Sequence, residues 1–116
     1  MLVYNAIQTP DGTIIESKYR HNYVTHKDAN GNTYAVDGGL DYLRRAGPLD
    51  YKELSISTND HNIIREYLTW GTLEGARIKI KDLSTEHIKN ILLATQFLSN
   101  KYINALEKEI LIRIRD

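Results

Sequence analysis

Leu2-Val3-Tyr4-Asn5-Ala6-Ile7-Gln8-Thr9-Pro10-Asp11-Gly12-Thr13-Ile14-Ile15-Glu16-Ser17-Lys18 reads as two β-favouring runs, Leu2 to Gln8 and Thr13 to Lys18, around the turn Thr9 to Gly12. Proline presets the first turn dihedral, and Asp-Gly supplies the positive φ that closes a hairpin. Asn30-Gly31 repeats the signal and joins Tyr23 to His26 with Thr33 to Val36 as a second hairpin. Two hairpins so close together make an antiparallel meander.

Beyond the meander, Gly38-Gly39 breaks the strand, and Leu40, Leu43 and Arg44 have the spacing of a short helical turn ended by Gly47-Pro48. Leu54 to Ser57 alternates as a half-buried strand. Asp60 can cap a short helix presenting Ile63, Ile64, Tyr67 and Leu68 on one face, with Gly71 as its stop. Ala76 to Lys81 alternates as an edge strand protected by charge. From Ser84 onward the period is helical. Ser84 caps a helix with Ile88, Ile91, Leu92, Thr95 and Leu98 on one face, and Ser99 caps a second with Ile103, Leu106, Ile110 and Ile114 in a stripe. The expectation is an α+β fold: an N-terminal antiparallel β meander with a short helix, followed by two C-terminal helices. One domain over 1–116 is expected, mainly β over 1–82 and helical over 83–116. Leu111 and Ile112 add apolar surface outside the last stripe, which suits either packing within the chain's own core or a homo-oligomer contact.

The chain is long enough for one core, and an apolar content of 41% with only two prolines argues against disorder. Lys plus Arg balances Asp plus Glu at fifteen each, so no global field holds DNA or an anionic membrane, and any anion site is local. The lack of cysteine excludes disulfides, thiolate metal sites and a cysteine nucleophile. No apolar run approaches the ~20 residues of a membrane span, and Met1 to Tyr4 does not read as a signal peptide. A cytoplasmic location is expected.

Among candidate chemistry, His21, His26, Asp28, Asp37 and Asp41 suggest a metal at first sight, but residues five apart on a strand face opposite ways. No metal or cofactor is expected. No serine lies in a Gly-x-Ser-x-Gly elbow, phosphate-cradling glycine loops are absent, and Asp37-Gly38-Gly39 is a tight turn. The run Tyr19-Arg20-His21-Asn22-Tyr23-Val24-Thr25-His26 is different in kind. Read as one strand, it sets Tyr19, His21 and Tyr23 on a face that can stack a ring, and Arg20, Asn22 and His26 on a face that can hold a phosphate. The same pattern also suits a strand whose tyrosines cover the core. Trp70, the only tryptophan, can plug the core or stack on a ligand; Arg113 and Arg115 can neutralise a helix end or reach a neighbouring subunit's ligand. The candidate ligand-binding set is therefore Tyr19, Arg20, His21, Tyr23, His26, Trp70 and Arg113.

Thr9-Pro10-Asp11-Gly12-Thr13, Arg20 to His26 with Asp28, Tyr34-x-Val36-Asp37-Gly38-Gly39-Leu40-Asp41-Tyr42-Leu43-Arg44-Arg45 and Leu68-Thr69-Trp70-Gly71-Thr72 together resemble a family of small proteins encoded by tailed bacteriophages. The resemblance runs through about residue 95. This chain departs from it at Asn22, where an acid is expected, and at the short Leu73-Glu74-Gly75 segment, where a longer insertion is expected. In size and mixed fold this chain is similar to phage-encoded sponge proteins that sequester cyclic nucleotide or cyclic ADP-ribose signals of host defence, with no ligand-binding motif of theirs matched residue by residue. The family resemblance is silent on activity; the aromatic and cationic run Tyr19 to His26 and the two-sided terminal helix point to a non-catalytic, oligomeric phage protein that binds and sequesters a nucleotide-like ligand in the host cytoplasm. The alternatives are a protein-protein inhibitor of a host defence enzyme and a small phosphodiesterase or hydrolase using His21 and His26 as acid and base.

Overall fold

The computed structural model of the chain describes residues 1–115, which fold as two compact units: Leu2–Ser57, and the residues from Thr58 onward together with Met1. The strands all lie before residue 80 and the two longer helices after residue 84, and the hairpin Thr69–Lys79 belongs to the unit that holds the helices. The α+β architecture expected from the sequence is the one observed, with an N-terminal strand-rich region and three helices.

In the first unit, β1 (Leu2–Tyr4) pairs antiparallel with β8 (Ile56–Ser57), across a register shift. Around β2 (Ala6–Gln8), β3 (Ile14–Glu16) and β7 (Lys52–Glu53) lie antiparallel on either side. The third sheet runs β4 (Val24–Lys27), β5 (Thr33–Asp37), β6 (Arg44–Ala46), with β5 in the middle. Both expected hairpins form, closed by left-handed Gly12 and Gly31. Ile7, Ile15, Tyr34 and Val36 make the core, with Val24 and Tyr51 packed against it. Each such fully buried side chain contributes roughly 1.5–3 kcal/mol.

Two local expectations are corrected. The run Leu2 to Gln8 is broken at Asn5, which is buried and spends its carboxamide on a loop described below. Leu40 to Arg44 is no helical turn: Gly38 and Gly39 take φ of 104° and 53°, and Arg44 already pairs with Asp37 as a strand residue.

The second unit comprises α1 (His61–Tyr67), the hairpin β9 (Thr69–Gly71) and β10 (Arg77–Lys79), a 3-10 turn (Ile80–Asp82), α2 (Thr85–Ala94) and α3 (Asn100–Arg115). The caps follow the sequence: Asp60 accepts from the Asn62 N–H, and Ser84 from the His87 N–H. Ile64, Leu68, Ile80, Ile88 and Leu106 are buried. The stripe on α3 differs from the expected one. Glu109 is buried beside Ala105 and Leu106, whereas Ile114 is 73% exposed. No helix among the described residues is long and apolar enough to cross a membrane.

Candidate functional site

The Tyr19 to His26 run is not one strand. Only Val24 to His26 belong to β4, and Lys18 to Asn22 form a turn in which the Asn22 N–H bonds the Tyr19 carbonyl and His21 takes the left-handed φ of 63°. The two-face alternation is therefore corrected. Tyr19, Arg20 and His21 sit on a tight loop, and Tyr23 sits at the entry to β4.

Four buried or half-buried polar groups hold this loop and the neighbouring one, residues 37–42, and one of them, Ser17, bonds both. The Ser17 hydroxyl donates to the Asn22 carbonyl at 2.6 Å and accepts the Gly39 N–H at 2.8 Å. Asn5 Nδ2 reaches the carbonyls of Asp37, Gly39 and Tyr42 at 2.8–3.1 Å. The Gly38 N–H bonds the Asp37 carboxylate at 2.8 Å. Asn22 Oδ1 accepts the Lys18 N–H at 2.8 Å. An aspartate at this position would accept the same bond. Glycine is required at Gly38 and Gly39 by positive φ and by close approach, since a Cβ would fall on the Tyr42 carbonyl at the first and the Tyr19 carbonyl at the second.

On this frame the exposed groups are Tyr19 at 56%, Tyr23 at 64% and the Arg20 side chain at 72%. Arg20 stands 3.8 Å from the exposed Asp41 carboxylate, a long surface pair of small worth. His21 Nδ1 lies 2.9 Å from the Tyr42 hydroxyl, which lies 3.5 Å from Asp37 Oδ2. His26 takes a different partner, Asp11, at 2.8 Å. Hydrogen bonds from Thr9, His26 and Thr13 hold the Asp11 carboxyl well below the usual carboxylate range. Among the described residues no three metal-ligating side chains converge.

Trp70 and Arg113 lie in the second unit. Trp70 is half-buried on β9, edge-on to Tyr102 with ring centroids 5.4 Å apart, and borders an open cleft of about 560 Å3 with His87, Asn90 and Ile91. Arg113 is fully engaged. It donates to Glu109 at 2.9 Å, to the Thr85 hydroxyl, and to the carbonyls of Ile80 and Lys81.

Glu109 is the centre of a constellation that sequence reasoning missed. Fully buried, its carboxylate accepts from Arg65 twice, from Arg113 and from His61 Nε2, each at 2.9 Å. The available signal was an acid on the apolar face of α3 with arginine four residues on. Burial pushes the Glu109 carboxyl up, but the bonds from Arg65, His61 and Arg113 outweigh it and bring the pKa to about 2 from 4.5.

Between those two values the unfolded chain binds a proton that the folded unit does not. The stability owed to Glu109 is whole above its unfolded pKa of 4.5, falls with pH through the window, and is gone near pH 2. Urea unfolding followed by Trp70 fluorescence should show its midpoint dropping as pH falls across that window, and a level midpoint would contradict the assignment.

No protein-family model matches the chain, and searches of curated proteins and of solved structures return no significant match.

Proposed function

We propose that the paired loops 18–23 and 37–42 form a non-catalytic receptor for a small planar anion of the nucleotide class, and that the chain acts by sequestering it. The observation that carries this reading is exposure combined with fixation: Tyr19, Arg20 and Tyr23 stand in solvent on a loop that buried Ser17 ties to the 37–42 loop, which buried Asn5 in turn holds. Fixing backbone costs about 1–2 kcal/mol per residue, and a loop ordered in advance spares a ligand that cost. Phenol rings stack on a base, and a guanidinium weakly paired to Asp41 exchanges readily for a phosphate.

The likeness in size and mixed fold to phage-encoded sponge proteins motivates the biological half of the proposal. The ligand class is then a cyclic oligonucleotide or cyclic ADP-ribose type signal of host defence, sequestered in the host cytoplasm. Leu111 and Ile114, 60% and 73% exposed on α3, are the apolar surface we assign to homo-oligomer formation. A second reading, occlusion of a host enzyme, is favoured by Leu73, Leu93 and Phe97, which stand almost wholly in solvent.

Native mass spectrometry of protein from infected cells tests assembly and ligand together. The expected spectrum shows an oligomer carrying a nucleotide-sized adduct that Arg20→Ala and Tyr23→Ala each deplete roughly tenfold or more. A bare protein that captures a host protein equally well with or without those substitutions would favour the second reading.

A further inference from the structure

A bonded chain runs from the surface of the paired loops to a buried acid. Asp37 is 8% exposed, and one oxygen of its carboxylate accepts the Gly38 N–H. Among the described residues its only other donor is the Tyr42 hydroxyl, 3.5 Å from Oδ2, and that hydroxyl also lies 2.9 Å from His21 Nδ1. Tyr42 is held in place. Its carbonyl accepts from Asn5 Nδ2 at 3.1 Å, its N–H bonds the Gly38 carbonyl at 3.3 Å, and its ring packs where a Cβ on Gly38 would stand. His21, at φ of 63°, sets its ring against that of Tyr42 with centroids 5.9 Å apart.

A phenol has one hydrogen, and two acceptors compete for this one. A carboxylate only accepts and carries full charge, so leaving its second oxygen without a donor inside the fold is the costlier choice. Tyr42 therefore donates to Asp37 despite the longer distance, and its oxygen accepts from His21, whose hydrogen sits on Nδ1. In the neutral ring the lone pair then falls on Nε2. His21 is exposed, and among the described residues its Nε2 has no partner.

We propose that Asp37 and Tyr42 are positioning residues that make His21 Nε2 a hydrogen-bond acceptor on the receptor loop, and that the ligand meets it with the exocyclic amine of its base. This rests on the reading of the paired loops as a nucleotide receptor. Phosphate oxygens only accept, so a lone pair on Nε2 repels them and the phosphate falls to Arg20. Tyr19 and Tyr23 lie two residues to either side of His21 and take the base by stacking. The edge of the base is left to the group between them. The loop thus selects bases that carry an amine, as adenine does, over those that lack one.

Long-range 15N spectra of the histidine rings in the full chain, at about pH 8.5 and so roughly two units above the ordinary imidazole value, read the tautomer without any ligand. His21 should carry its hydrogen on Nδ1 in the unaltered chain and lose that preference in Tyr42→Phe. Adenosine 5′-phosphate and purine riboside 5′-phosphate, which differ only in the amine, are then titrated at millimolar concentration against the amides of Tyr19 to Tyr23. The amine-bearing nucleotide should bind roughly fivefold more tightly, and His21→Phe should erase the difference. Hydrogen on Nε2 in the unaltered chain, or on Nδ1 equally in Tyr42→Phe, would overturn the positioning role. Equal affinities in the unaltered chain would overturn the amine assignment. Silence from both nucleotides, with the tautomer as stated, would sink the receptor reading and the amine assignment together and leave the role of Tyr42 standing.

Discussion

Glu109→Gln will lower the stability of the unit that contains it by about 3–5 kcal/mol, the range for breaking a buried ion pair from one side. The carboxylate accepts four hydrogen bonds at 2.9 Å from Arg65, Arg113 and His61. Glutamine has one oxygen where glutamate has two, and its NH2 would face guanidinium N–H groups, donor against donor. Both arginines would be left with unbalanced charge beside a fully buried side chain. The same physics makes the group costly in itself, so replacing Glu109, Arg65 and Arg113 together by apolar residues should recover much of the loss. Trp70 lies in the same unit and is the only tryptophan, so its fluorescence in a urea titration reports this loss directly. A midpoint equal to that of the unaltered chain would mean the carboxylate is not held as described.

Gly39→Ala should be nearly as damaging in the first unit. At φ of 53° an alanine is strained, and its Cβ would fall on the Tyr19 carbonyl and close to the Arg20 nitrogen. Those are backbone atoms, so no rotamer change relieves the contact. The expected loss is roughly 3 kcal/mol or more, in the class of strain at a special backbone position. Because the Gly39 N–H is held by Ser17 and its carbonyl by Asn5, the damage should extend to both loops. Amide exchange would read it as early loss of protection at Gly39 and Asn22. Unchanged protection in a folded Gly39→Ala chain would contradict the arrangement.

Much of the fold was legible because its signals are local. Pro10-Asp11-Gly12 and Asn30-Gly31 fix two hairpins through backbone dihedrals, and Asp60 and Ser84 announce helices through cap chemistry, without reference to the rest of the chain. What was not legible depends on residues distant in sequence. Asn5 looks like one polar residue in a strand, yet its partners are more than thirty residues away. The alternation drawn through Tyr19 to His26 failed because Ser17 and Asn22 close a turn there, diverting the chain before β4 begins. His61 carries no local signal in the sequence. Its meaning comes from Glu109 on another helix, and Arg113 passed for a helix-end charge for the same reason. Of the candidate ligand residues, Tyr19, Arg20, His21 and Tyr23 belong to one short segment, His26 is tied to Asp11, and Arg113 is tied to Glu109.

The central claim is that a pre-ordered loop offers Tyr19, Arg20 and Tyr23 to a nucleotide-like anion. Isothermal calorimetry of the purified chain against cyclic dinucleotides, cyclic trinucleotides and cyclic ADP-ribose isomers tests it most directly. Saturable heat with one of these classes, lost in Arg20→Ala and Tyr23→Ala, is the predicted result. Flat titrations across all of them, with the protein folded, would contradict it.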